Sequence, residues 1–170
     1  MKESFAIQFT DYFKFNSAHF VVYKGFREPL HGHNYKISLK LTSAKLNDEG
    51  NVFDSDILIE IMNTITGNLK HRLLIPKYSN YLKISEEENN YKLKCEDSSE
   101  FSIPKSDVRL VEIENVTAEC LAKFVALELL NKLKGKYIEE LKTVQAQRLV
   151  IKISEDLGKQ GNYSLNISNI

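Results

Sequence analysis

Two long stretches of this chain alternate with period two, and few folds can accommodate them. In the first, Phe5, Ile7, Phe9, Phe13, Phe15, Ser17 and His19 share odd parity, with Asp11 as the interruption. In the second, His31, His33, Tyr35, Ile37, Leu39 and Leu41 share one face, while Asn34, Lys36, Ser38 and Lys40 share the other. Such alternation belongs to extended strands with one face on a core. The connection, FVVYKGFREPL, carries Gly25 and Pro29 and forms a loop that lets the strands lie antiparallel. That pairing brings His19, at the margin of one apolar face, near His31 and His33 at the margin of the other.

Beyond these strands the period changes. Asp54 or Ser55 is suited to cap a helix whose apolar positions include Ile57, Ile61 and Ile65, about three to four turns in length. Residues 76–116 are less regular: YLKIS, YKLKC and EFSIP read as short strands between polar turns, a hairpin-rich insertion. A second helix is predicted from Thr117, with Leu121, Phe124, Val125 and Leu129 on one side and Gly135 as its stop. RLVIKISE and NYSLNIS close the chain as strands. The order ββ, α, insertion, α, ββ describes an α+β domain, an antiparallel four-stranded sheet with two helices on one face. With 170 residues, one domain spanning 1–170 is the expectation.

Composition narrows the class of partner. The 23 basic and 23 acidic side chains cancel, so charge gives no pull toward nucleic acid or an anionic membrane, and a small molecule or protein is the expected partner. No apolar run approaches the roughly 20 residues of a membrane helix, and the first residues lack the pattern of a secretory signal, so a cytoplasmic location is expected. Cys95 and Cys120 are isolated and read as free thiols.

The histidines carry the chemistry. Residues i and i+2 of a strand point the same way about 7 Å apart, so His31 and His33 can converge on one metal ion, and His19 is the plausible third donor. Three neutral imidazoles on Zn²⁺ leave its fourth position open, which is the arrangement of a catalytic site. Taken alone, HGH reads rather as a pair of hydrogen-bonded surface histidines.

The wider pattern resembles a known family. FNSAHF followed by LHGHNY is similar to the zinc signature of 6-pyruvoyltetrahydropterin synthases, and EGNVFDSDIL, LKHRLLIP, NVTAECLA and KISE continue the likeness along nearly the whole chain. The resemblance implies the tunnelling fold (ββααββ), Zn²⁺ on His19, His31 and His33, His71 as a catalytic-relay histidine, and Glu155 anchoring the pterin. Thr117 is a helix cap that also lines the pterin pocket, or a cap alone. Trimers stacked as a homohexamer, with active sites at subunit boundaries, are implied as well.

Two positions depart from the family pattern. Arg27 stands where the usual catalytic cysteine would be, and Lys70 stands where an aspartate normally precedes the histidine. Glu28 is placed to act as the base instead, unless it is a solvated loop carboxylate. YKGFREPLHGHNY and CEDSSEFSIP look like the third type of synthase, found in malaria parasites, which is associated with cleaving 7,8-dihydroneopterin triphosphate to 6-hydroxymethyl-7,8-dihydropterin, a folate precursor. Without an adjacent carboxylate, His71 reads either as a relay or as a helix-end histidine. The alternatives are 6-pyruvoyltetrahydropterin synthase activity, as in tetrahydrobiopterin biosynthesis, 6-carboxytetrahydropterin synthase activity, and a non-catalytic pterin- or metal-binding paralogue.

Overall fold

A computed structural model describes residues 3–156 and 158–170. Its N-terminal half contains β1 (Phe5–His19), β2 (Val22–Tyr23), β3 (Phe26–Arg27), β4 (His31–Ser43) and helix α1 (Ser55–Gly67). There follow β5 (Leu73–Pro76), β6 (Leu82–Glu87), β7 (Asn90–Cys95), β8 (Glu100–Pro104) and β9 (Val108–Val111). Helices α2 (Ala118–Lys136) and α3 (Ile138–Thr143) and strands β10 (Ala146–Asp156) and β11 (Lys159–Asn166) complete it.

The main sheet runs β11-β10-β4-β1-β5-β9. Its four long strands are the antiparallel set expected from alternation, and the sheet is wider than four because β5 joins β1, and β9 joins β5, in parallel. Those additions are four residues each, too short for periodicity to reveal. The interruption at Asp11 is an irregularity in which Phe9 faces Leu39 and Phe13 faces Ile37. Four steps along β1 thus match two along β4. Because the excess is even, Phe13, Phe15 and His19 keep the parity of Phe5 and stay on the core face. Asp11 adopts positive φ, and its N–H donates to Ser38 Oγ at 2.8 Å.

Helix α1 begins where Asp54 accepts the N–H groups of Asp56 and Ile57. It buries Leu58, Met62 and Ile65; of the expected stripe, Ile65 is thus in the core, while Ile57 and Ile61 pack at its shoulder. Helix α2 buries Leu121, Val125, Leu129 and Leu133. The predicted stop at Gly135 is corrected: α2 continues to Lys136 and ends at Tyr137, where the backbone leaves helical geometry before α3. Apolar side chains of both helices share one cluster with Tyr35, Ile37, Leu39, Ile151 and Ile153 of the sheet.

Within the 76–116 stretch, β6, β7 and β8 form a separate antiparallel meander. Its Leu82, Leu93 and Cys95 pack with Phe20, Val22 and Ile75 in a second apolar cluster. The insertion therefore lies against the loop linking β1 and β4, in which β2 and β3 pair as a two-rung hairpin.

Candidate active site

Register brings the three histidines together. His19 lies opposite His31 across the β1/β4 ladder, and Ser17 lies opposite His33. The ring centroids are 4.6 Å apart for His19–His31, 5.0 Å for His19–His33 and 4.8 Å for His31–His33. One ligating nitrogen from each ring falls within 4.8 Å of the others. Between His31 and His33, Gly32 lies close against β1, where a Cβ would stand 3.2 Å from the Ser17 carbonyl oxygen. His19 is buried, His33 half-buried and His31 exposed, so the cluster runs from the core to the surface.

Hydrogen bonds orient two of the rings. His19 Nδ1 is 2.8 Å from the Val116 carbonyl oxygen, and His31 Nδ1 is 2.7 Å from that of Pro29. A carbonyl only accepts, so each Nδ1 carries a proton, and in the neutral ring Nε2 is the nitrogen with the lone pair. His19 Nε2 is buried without a partner among the described residues, a costly arrangement for a polar atom with nothing to bind. Burial pulls His19 from its ordinary 6.5 down to about 4, against the Val116 hydrogen bond that raises it, which leaves a neutral ring at neutral pH. A converging set of imidazoles with a free buried lone pair fits a metal ion.

Glu155 continues the inward parity of Leu149, Ile151 and Ile153 along β10. Ser154 faces Gln160 but Asp156 faces Lys159, so Glu155 is the extra residue of a bulge, a device that re-aims a side chain. Its side chain is 8% exposed, with Lys159 Nζ 3.8 Å from Oε2 and Oε1 buried without a partner among the described residues. Desolvation pushes the carboxyl above its usual range, while His33 and Lys159 pull it back. Glu155 and His33 line one groove of about 470 Å³ together with Asn34 and Ser154.

Glu28 follows β3 and is half-buried, its N–H donating to the Val21 carbonyl at 2.9 Å. Its carboxylate is close enough to influence His19, Tyr35 and Glu155 electrostatically. Thr117 caps α2, its Oγ1 accepting the Cys120 N–H at 3.3 Å, and it directly follows the carbonyl that holds His19.

His71 is not gathered into the cluster. It is exposed, in left-handed backbone after α1, with its N–H donating to the Asn16 carbonyl at 2.8 Å. It borders an open groove of about 540 Å³ shared with Gly32, His33 and Asn34.

Tyr35 is the residue whose part in the site the sequence pattern concealed. Its ring stacks on Phe15 with centroids 4.6 Å apart and presents an edge to His33 at 5.5 Å. The hydroxyl is buried without a partner among the described residues, and desolvation together with Glu155 and Glu28 pushes its pKa far up. Its place two residues after His33 on one face was the available signal. Nothing local in the sequence marked the Val116 carbonyl.

A helix-backed antiparallel sheet with a histidine triad at its rim and a buried acid alongside defines a small-molecule site suited to a metal ion. Residues 8–159 match the family described as 6-pyruvoyl tetrahydropterin synthase, and the chain belongs to that family of pterin-biosynthesis enzymes. A Methanocaldococcus jannaschii protein provisionally named 6-carboxy-5,6,7,8-tetrahydropterin synthase is 30% identical over 150 residues, 88% of each chain. The crystal structure of Plasmodium vivax 6-pyruvoyl tetrahydropterin synthase superposes with a TM-score of 0.89 at 33% identity, covering 97% of this chain and 99% of that one. Two variant structures of the P. vivax protein, 32% identical to this chain at the same TM-score and coverage, replace a glutamate described as a catalytic residue with alanine or cysteine.

Proposed function

We propose that the protein is a zinc-dependent lyase that cleaves the side chain of 7,8-dihydroneopterin triphosphate to give 6-hydroxymethyl-7,8-dihydropterin. The observation that carries the reading is the position of Glu28, the half-buried carboxylate beside the triad, in a site whose histidine cluster includes neither cysteine. Cys95 packs in the second apolar cluster and Cys120 on α2. That a glutamate is the described catalytic residue of the P. vivax relative supports it.

His19, His31 and His33 would hold Zn²⁺, which supplies Lewis acidity toward the side-chain hydroxyls. Glu28 takes the proton from the 2′-hydroxyl as that carbon becomes a carbonyl. The C1′–C2′ bond breaks and its electron pair moves into the C6=N5 imine, so the pterin ring is the electron sink. Protonation at C1′ restores the imine and releases 6-hydroxymethyl-7,8-dihydropterin, while the departing two-carbon aldehyde retains the triphosphate. Glu155 holds the ring by accepting its amino and ring N–H groups, a role suited to a buried, unpartnered carboxylate oxygen. Thr117 closes the pocket beside it.

The names of the archaeal relatives favour a second reading, 6-carboxytetrahydropterin synthase activity. Incubation with dihydroneopterin triphosphate and chromatography of the pterins separates the two, because only the first yields the hydroxymethyl compound. Glu28→Gln is expected to lower kcat by about 10²–10⁴-fold with zinc content unchanged. Turnover equal to the parent would remove Glu28 from the mechanism.

The working form is a homohexamer of stacked trimers with sites at subunit boundaries. The main sheet ends in β11 and β9, whose outer edges a neighbouring copy can pair. In such an assembly the exposed His71 serves a neighbouring copy's site as a relay. Light scattering that finds an active monomer would contradict this arrangement. No helix among the described residues is long and apolar enough to cross a membrane.

A further inference from the structure

Arg27 occupies the position beside the proposed base, and its side chain turns away from the histidines toward the insertion. Its Nε donates to Ser99 Oγ at 2.6 Å and lies 3.4 Å from Asp97 Oδ2, both on the turn between β7 and β8. A second guanidinium nitrogen donates to the carbonyl oxygen of Glu28 at 2.9 Å. The plane of the group lies over Phe101 at 4.9 Å, and Phe101 stacks on Phe20, the neighbour of His19, with centroids 5.2 Å apart.

The same turn grips the loop again two residues earlier. Glu96 Oε2 accepts the N–H of Gly25 at 2.9 Å, where the backbone has a φ of +70° that favours glycine. On the other flank, Asn115 bonds both the N–H and the carbonyl of Val22. Arg27 and Asp97 side chains are 22% and 28% exposed, so their attraction is less screened than that of a surface pair. Ser99 donates to Asp97 in turn and helps keep it ionised. A planar fork that donates in two directions while stacking is a role that lysine cannot reproduce.

We infer that Arg27 is the positioning residue for Glu28: it fastens the loop carrying that carboxylate to the β7–β8 turn, which makes the insertion part of the active-site scaffold. This inference rests on Glu28 being the base. The base sits on a loop whose own backbone pairing is the two-rung β2/β3 hairpin and the adjoining Glu28 N–H to Val21 carbonyl bond, and the insertion adds the side-chain contacts that fix this short hairpin. A proton acceptor displaced by about 1 Å can cost 10²-fold in rate.

The test compares steady-state turnover of dihydroneopterin triphosphate, and metal content, across substitutions on both sides of the contact. Arg27→Ala is expected to lower kcat by about 10²-fold while KM moves by less than about threefold and metal content is unchanged. Arg27→Lys should recover only part of that loss. The turn variant Asp97→Asn with Ser99→Ala leaves the loop sequence intact, and should reduce kcat in the same sense. In the Glu28→Gln background, Arg27→Ala should cost nothing further, because the group it positions is already disabled. Parent-like kcat in Arg27→Ala or in the turn variant overturns the inference, as does an Arg27→Ala loss that multiplies in full onto Glu28→Gln. Parent-like turnover of Glu28→Gln is a separate result: it removes the base assignment itself, and the inference with it.

Discussion

His19 and Val116 are joined by a 2.8 Å hydrogen bond from the imidazole Nδ1–H to the backbone carbonyl. Val116 immediately precedes Thr117, the cap of α2, so the approach of that helix to the sheet sets the orientation of the innermost histidine. Packing and chemistry are coupled at this bond, because a shift of the helix start would turn the lone pair of His19 away from His31 and His33.

Metal binding should follow that geometry. One Zn²⁺ per chain is expected by elemental analysis, and His33→Ala should abolish it together with activity. Full stoichiometric zinc in that variant would refute the triad.

The metal-free protein should lose stability in acid. Burial holds folded His19 near about 4 against 6.5 unfolded, so between those values the unfolded chain binds more protons. The contribution of His19 is therefore complete above about pH 6.5 and is lost as pH falls toward about 4. Glu155, raised by burial, titrates in the opposite sense, so urea midpoints of chelator-treated Glu155→Gln protein should fall with pH through that window, and a flat profile in that variant would contradict the burial of a neutral ring.

Neither thiol should be needed for turnover. Cys95 is buried, and desolvation raises its pKa, whereas Cys120 is half-exposed. Alkylation of the folded protein should therefore modify Cys120 well before Cys95. The Cys95→Ala/Cys120→Ala protein should retain the parent's product and most of its kcat. Loss of activity with the fold and zinc intact would revive a thiol mechanism.

The long strands, both main helices and the triad were legible in the sequence because each is encoded by local periodicity or short spacing. His31 and His33 share a face by strand geometry alone, and the even length of the Asp11 irregularity kept His19 in phase with Phe5. Features that depend on distant partners were not legible. The four-residue β5 and β9 carry no periodic signal, and α1 buries Leu58 and Met62 in place of Ile57 and Ile61, although Ile65 is buried as expected, because both residues of each pair are apolar. The Val116 carbonyl and the grip of Asp97 and Ser99 on Arg27 join segments separated by 97 and about 70 residues. His71 lies exposed in left-handed backbone after α1, on the open groove that it shares with His33, and no short spacing in the sequence linked it to the triad.

Gly161 is a structural requirement of the same helix start. A Cβ on this β11 residue would overlap the Glu119 nitrogen and the Ala118 backbone, and backbone cannot swing aside as a flexible side chain can. Gly161→Ala should destabilise the fold by about 1–3 kcal/mol, the usual range for overpacking. It should also weaken zinc binding through the Val116–His19 bond. Chemical denaturation and zinc titration check the two effects, and an unchanged midpoint would show that the strand yields freely.

Glu155 should govern pterin affinity more than the chemical step. Its bulge turns a carboxylate onto the rim where Tyr35 and His33 lie, and Oε1 is buried with no donor among the described residues. A pterin edge offering two N–H groups would satisfy that oxygen. Glu155→Gln keeps the shape but replaces one acceptor with an NH₂ facing those donors. Losing a charged hydrogen bond of about 1.5–3 kcal/mol corresponds to roughly 10–150-fold weaker binding. The measured effect should fall chiefly on the dissociation constant of a non-reactive dihydropterin, read by fluorescence titration, with zinc content unchanged. Parent-like affinity in Glu155→Gln would mean that the ring is held elsewhere and that the buried carboxylate serves another group.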